Sequence, residues 1–159
     1  HMSRGLGDVY KRQPITIGHV DILQRALPLF EKIVVAIGTN SQKKYFFSLE
    51  ERLSLIEKVF ENEPKIEVQT YSGLTANFAT NIGANFLLRG VRNASDFEFE
   101  KTIAQLNNEL QHNLETILLV CQPKYSHISS TIVREILIHK GNAEKFLPTA
   151  IQSYIIEKM

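Results

Sequence analysis

Ile33-Val34-Val35-Ala36-Ile37 is the stretch from which the rest of the chain is read. A short, β-branched, uninterrupted apolar run predicts a strand buried on both faces. Such a strand belongs to a parallel sheet with helices packed on either side. The flanks agree with that reading. Upstream, His19 to about Phe30 places Val20, Ile22, Leu23, Ala26, Leu27 and Phe30 near one helix face, and Pro28 loosens the last turn. Downstream, Ser48 and Glu51 are spaced as a capping box before the helical stripe Leu49, Leu53, Ile56 and Phe60.

The alternation continues to the end of the chain. Ile66–Val68 predicts a short strand, and a helix from about Thr75 ends at the natural cap Gly83. Phe86–Leu88 is the next buried strand. Ser95 and Glu98 have capping-box spacing, followed by Phe99, Ile103, Leu106 and Leu110 on a helical repeat. Thr116–Val120 predicts a further strand. Ser129–Lys140 predicts a helix with hydroxyls at its start and Gly141 after its end, and a last helix begins near Pro148. The fold predicted is a single Rossmann-like α/β domain over residues 1–159: a parallel sheet of about five strands, helices on both faces, right-handed crossovers. Ligands in such sheets bind at the carboxyl ends of the strands, near the switch in strand order. No repeat, low-complexity tract or linker interrupts the pattern.

Composition limits the function. The 159 residues suit one compact domain. With 18 basic against 17 acidic residues, net charge is +1, which argues against nucleic acid or an acidic membrane as the main partner. The one cysteine, Cys121, can form no internal disulfide, and a reducing, cytoplasmic compartment is the natural expectation. No apolar run approaches the roughly 18 residues that span a bilayer, and no signal peptide is expected. His1-Met2 reads as a cloning remnant.

Three constellations carry candidate chemistry. In Thr16-Ile17-Gly18-His19, Gly18 allows close backbone approach, and His19 stands at a helix start, where N–H groups and the dipole favour phosphate. Alone, the motif fits a solvated, idle histidine beside a cap better than a catalytic one. Arg89-Gly90-Val91-Arg92 follows the Phe86–Leu88 strand, and guanidinium forks match phosphate oxygens. Its plainer alternative is a surface pair balanced by Asp96, Glu98 or Glu100. Ile128-Ser129-Ser130-Thr131 opens a helix with three hydroxyls, more than capping requires. Lys43 and Lys44 lie in a polar loop after a strand, where one can reach a phosphate. The histidines show no metal-ligand spacing, and no protein-held metal is expected. Together these sites point to a nucleotide-handling enzyme.

Those three motifs, with Asp96-Phe97-Glu98-Phe99-Glu100, resemble the phosphopantetheine adenylyltransferases of the nucleotidyltransferase superfamily, from about Pro14 to the C-terminus. The resemblance implies transfer of the adenylyl group of ATP to 4′-phosphopantetheine, giving dephospho-coenzyme A and pyrophosphate in coenzyme A synthesis. It implies that His19 stabilises charge growing on the α-phosphate and that Lys43 and Arg89 hold the acceptor phosphate, Lys43 near the reacting centre. It assigns Thr75 to the pantetheine arm and Gly90, Val91, Arg92 and Glu100 to ATP. Tyr125, Ser126, His127, Ile128, Ser129, Ser130 and Thr131 would embrace the adenine and phosphates. Magnesium would neutralise the triphosphate, and the chain would assemble as a homohexamer. Other readings are a superfamily member with another acceptor, such as nicotinate mononucleotide or a sugar or glycerol phosphate, and a nucleotide- or coenzyme A-binding protein without turnover.

The first dozen residues depart from the family, which opens with an apolar strand and P-G-[TS]-F-D-P. Here Val9-Tyr10-Lys11-Arg12-Gln13-Pro14 retains only the proline, and the acceptor-binding position falls on Lys11. Arg4, Asp8, Lys11 and Arg12 are costly in a central strand, several kcal/mol for each unpaired buried charge. Residues 1–13 are therefore read as an atypical, junction-derived start, Ser3–Gln13 as a poor or irregular central strand, and turnover as weakened.

Overall fold

A computed structural model of the protein describes residues 4–8, 14–39 and 46–158, the first of these ranges as main chain only. The strands and helices alternate: β1 (Arg4–Asp8), α1 (Ile17–Ala26), β2 (Lys32–Thr39), α2 (Leu49–Val59), β3 (Ile66–Ser72), α3 (Thr75–Asn81), β4 (Phe86–Val91), α4 (Ala94–Leu110), β5 (Glu115–Val120), α5 (Ser130–Ile138) and α6 (Thr149–Lys158). The strands form one sheet in the order β3-β2-β1-β4-β5, and every pairing is parallel. The chain winds outward from β1 through β2 to β3, then returns to the other side of β1 for β4 and β5. The switch in strand order therefore lies between β1 and β4, where such sheets open a crevice for ligands.

The apolar run in β2 behaves as its composition requires. Successive side chains on a strand point to opposite faces. Ile33, Val35 and Ile37 enter one core with Leu23 and Ala26 of α1, Leu55 and Ile56 of α2, and Ile151 and Ile155 of α6. Val34 and Ala36 enter the core on the other face, with Ala76 and Ala79 of α3 and Leu87 of β4. Both faces are covered, so no polar residue interrupts the run.

Three sequence expectations are corrected. β1 is a regular central strand, not an irregular one. Residues Gly5, Leu6 and Gly7 pair with both β2 and β4, whereas Arg4 and Asp8 pair with β2 alone. The doubly flanked positions thus bring no charge, and two of them bring no side chain. Residues 9–13, including Lys11, lie outside the described residues. α4 is capped by Asn93, whose side chain accepts from Asp96 N–H at 2.8 Å, not by Ser95. Its apolar repeat is not buried: Phe99, Leu106 and Leu110 are each more than half exposed, at 54%, 51% and 54%. α5 ends at Ile138, and Lys140, not Gly141, takes the left-handed backbone at φ 58°. The N–H groups of Gly141 and Lys140 donate to the carbonyls of Ile136 and Leu137, the Schellman closure of a helix end.

Candidate nucleotide-binding cleft

A cleft of about 380 Å³ opens at the carboxyl end of the sheet, beside the switch point. Its walls come from three distant segments: the start of α1, the end of β4 with the start of α4, and the β5–α5 connection.

The start of α1 is built by a reciprocal cap. The Thr16 hydroxyl accepts from His19 N–H at 3.4 Å, and Thr16 N–H donates to His19 Nδ1 at 3.0 Å. Thr16 is 1% exposed, which holds this geometry firmly. A neutral imidazole that accepts at Nδ1 carries its proton on Nε2, the tautomer able to donate to an anion. The first turns of α1 and α5 contain no acidic residue, so their N-terminal N–H groups and dipoles favour negative charge at the cleft.

At the second wall, Gly90 lines the cleft beside Ile22. A Cβ at position 90 would meet Ile22 Cγ1 at 3.2 Å, so any side chain there would press on that wall. Arg92 also lines the cleft. Its Nε donates to Asp96 Oδ2 at 2.9 Å, and its own N–H donates to the same oxygen at 3.0 Å. Arg89 is not among the residues that line the cleft. Its guanidinium makes a two-point pair with Glu100, Nε to Oε2 at 2.9 Å and Nη2 to Oε1 at 3.0 Å. Glu100 is a cleft residue and the only buried residue of α4. Both arginines thus have the carboxylate partners that the plainer sequence alternative named.

The third wall contains Tyr125, Ile128 and the three hydroxyl residues. Each hydroxyl has its own task within the protein. Ser129 caps α5, accepting from Ile132 N–H at 3.2 Å. Ser130, 5% exposed, donates to the Pro14 carbonyl at 2.9 Å and so ties this wall to the segment before α1. Thr131 accepts from Arg134 at 3.2 Å. Burial pulls the Arg134 guanidinium below its ordinary pKa.

Some expected site residues stand elsewhere. Val91, Ser126 and His127 do not line the cleft; Ser126 donates to the Pro123 carbonyl at 2.9 Å, and His127 lies edge-on to Phe146. Thr75 starts α3 away from the cleft, its hydroxyl 2.8 Å from that of Tyr71. Lys43 lies outside the described residues. The sequence reading missed Ile22, Ser95, Asp96, Phe99 and Cys121 as cleft residues. Cys121 was detectable, since it directly follows a strand at its carboxyl end. Ile22 was not, because a helical core position and a cleft position share one pattern.

Comparison with known proteins agrees with this geometry. Residues 13–136 match the family described as cytidylyltransferase-like. The Flavobacterium johnsoniae phosphopantetheine adenylyltransferase is 52% identical over 139 residues, covering 87% of this chain and 91% of that protein. The enzyme of that name from Christiangramia forsetii is 48% identical over the same coverage. Among solved structures, a Vibrio parahaemolyticus chain described as a nicotinate-nucleotide adenylyltransferase superposes with TM-score 0.68 over 98% of this chain and 99% of its own. Identity to it is 12%, so that likeness concerns the fold alone. Parallel sheet, switch-point cleft and matched family together make this a nucleotidyltransferase of the cytidylyltransferase-like class. Within that class, the chain belongs to the phosphopantetheine adenylyltransferase family.

Proposed function

We propose that the protein transfers the adenylyl group of ATP to 4′-phosphopantetheine. An oxygen of the acceptor phosphate attacks the α-phosphorus, the bond to the bridging oxygen breaks, and pyrophosphate leaves. The products are dephospho-coenzyme A and pyrophosphate. The observation that carries the reading is the cleft at the switch point. It joins His19, held by Thr16, to the N-terminus of α5 within a chain of this family.

Such a transfer needs position and charge more than covalent chemistry. His19, as the Nε2–H tautomer, donates to the α-phosphate oxygen where negative charge grows. The N–H groups at the start of α5 face the distal phosphates. Gly90, Arg92, Glu100, Tyr125 and Ile128 enclose the nucleoside and its phosphates, with Val91, Ser126 and His127 supporting those walls from behind. Lys11 and Lys43 receive the acceptor phosphate. Arg89 joins them by exchanging part of its pairing with Glu100 for phosphate oxygens. Thr75 takes the pantetheine arm.

Magnesium belongs to this reading as the counter-ion of ATP. Among the described residues, no group of three His, Cys, Asp or Glu side chains converges as a protein-built metal site requires. The two cleft carboxylates, Asp96 and Glu100, are each engaged by an arginine. Magnesium coordinated mainly by phosphate oxygens and water suits such a cleft, and there it would neutralise charge on the triphosphate.

A cytoplasmic site of action fits this substrate pair, and no described helix is long and apolar enough to cross a membrane. A homo-oligomer, a hexamer by family resemblance, is supported by α4, whose apolar Leu106 and Leu110, outside the cleft, stand more than half exposed on a single protomer. Light scattering on the purified protein gives its mass directly, and a monomer would contradict this part. The reaction is tested by incubating the protein with ATP and each candidate acceptor. Equal amounts of dephospho-coenzyme A and pyrophosphate are expected with 4′-phosphopantetheine, and no transfer to nicotinate mononucleotide. The reverse preference would overturn the proposal.

A further inference from the structure

The turn that leaves β5 brings Cys121 into the cleft wall. On one side its main chain is tied to β4, Cys121 N–H donating to the Val91 carbonyl at 2.8 Å. On the other side it is held from α1. Gln122 Nε2 donates to Asp21 Oδ1 at 2.8 Å. Arg25 Nη1 donates to Asp21 Oδ2 at 3.2 Å, and Arg25 Nη2 donates to the Val120 carbonyl at 3.0 Å.

An Asp–Arg pair four residues apart on a helix is ordinarily of little consequence. This one differs because both partners reach the far end of the chain. Gln122 stands 101 residues from Asp21, and Val120 stands 95 residues from Arg25. The Asp21 side chain is also largely buried, 14% exposed against 37% for Arg25, so the carboxylate is the fixed point of the group. Both of its oxygens are occupied, one by the turn and one by the arginine that grips the same turn. Two residues earlier on the same helix stands His19.

We propose that Asp21 is a positioning residue of the nucleotide cleft: it fixes the Val120–Gln122 turn against the helix that carries His19, and so sets the distance between the Cys121 wall and the phosphate-binding end. The inference rests on the cleft being the ATP site. Asp21 touches no reacting atom. Its loss widens the cleft and weakens ATP binding, while the acceptor side and the chemical step stay as they are.

Cys121, the only cysteine of the chain, is a built-in reporter of this turn. Burial, and after it the charges of Asp21 and Asp96, push its thiol above the ordinary pKa, against the pull of Arg92 and Arg25. Alkylation by iodoacetamide as a function of pH separates two effects. Asp21→Asn removes a charge and a hold, so the midpoint moves to lower pH and the limiting rate rises. Gln122→Ala, on a part-buried turn, removes a hold without a charge, so the limiting rate rises while the midpoint moves less than in Asp21→Asn. In steady-state assays, loss of the charge-assisted bond raises the KM for ATP by about five- to tenfold in Asp21→Asn, with kcat and the acceptor KM within about twofold.

ATP is expected to protect Cys121 in the unaltered protein, and to protect it less in both variants at the same ATP concentration. Absence of protection in the unaltered protein would overturn the nucleotide reading of the cleft and the inference with it. If protection is normal there, but both variants are alkylated at the unaltered limiting rate and keep its KM for ATP, Asp21 alone loses its role.

Discussion

Lys140 closes α5 at φ 58°, in the left-handed region, where a side chain bearing a Cβ costs about 1–2 kcal/mol relative to ordinary helical backbone. Glycine adopts that geometry without the steric cost, although it loses more chain entropy on folding. Lys140→Gly should therefore raise stability by about 1 kcal/mol, seen as a higher urea midpoint with an unchanged slope. A midpoint at or below that of the parent would show that the Lys140 side chain contributes more than its backbone costs. At this scale the sequence was legible to within one position. A glycine after a helix is the usual left-handed cap, but here the two closing bonds fall one residue earlier. Hydrogen-bond register, not residue type, decided the site. Arg89 and Arg92 illustrate the same limit. Three carboxylates stood within reach along the sequence, and only the packing of α4 on β4 selects Glu100 for Arg89 and Asp96 for Arg92.

Between elements, the junction of α2 and α6 carries the clearest electrostatic signature. Glu51 closes the capping box with Ser48 and also accepts from Tyr154 and Lys158 of α6. Lys158, first among the causes, and then Tyr154 hold the Glu51 carboxyl down at about 2, against an ordinary 4.5. A depressed carboxyl contributes stability above its unfolded pKa and loses it as pH falls through the window down to the folded value. The parent should thus lose melting temperature between about pH 5 and about pH 3 more steeply than Glu51→Gln does. Parallel curves for the two proteins would show that the α2–α6 clamp contributes nothing. The capping box itself was legible in Ser48 and Glu51, because that motif is local. The clamp was not, since 103 residues separate Glu51 from Tyr154. The Ser95–Glu98 spacing shows the converse error: it satisfied the same motif, but Asn93, extended at φ −155°, is the residue outside the helix. Spacing identifies a cap only when the helix start is already known.

For the whole molecule, the parallel sheet was legible because β2 is apolar on both faces, and a strand needs that only between two helical layers. The cleft was legible in part. His19, Arg92 and Ser129–Thr131 each announced a helix start or strand end, and the switch point brings those ends together. Charged residues near β1 suggested a damaged strand, yet the positions paired on both sides are Gly5, Leu6 and Gly7. The remaining departure is chemical and concerns residues 9–13. The family match begins at residue 13, the last position of that stretch. Restoring P-G-S-F-D at Val9–Gln13 is expected to raise kcat/KM by about tenfold or more, since one lost transition-state donor costs on the order of 10²–10³ in rate. An unchanged kcat/KM would mean that Val9–Gln13 serve as well.

The central claim is that the Thr16-held imidazole of His19 stabilises the transferring α-phosphate. Pyrophosphate release from ATP and 4′-phosphopantetheine, compared between the parent and His19→Ala, tests it most directly. Release should require both substrates in the parent and fall by about 10²–10³ in the variant, with the KM for ATP little changed. Equal rates in the two proteins would remove His19 from the mechanism.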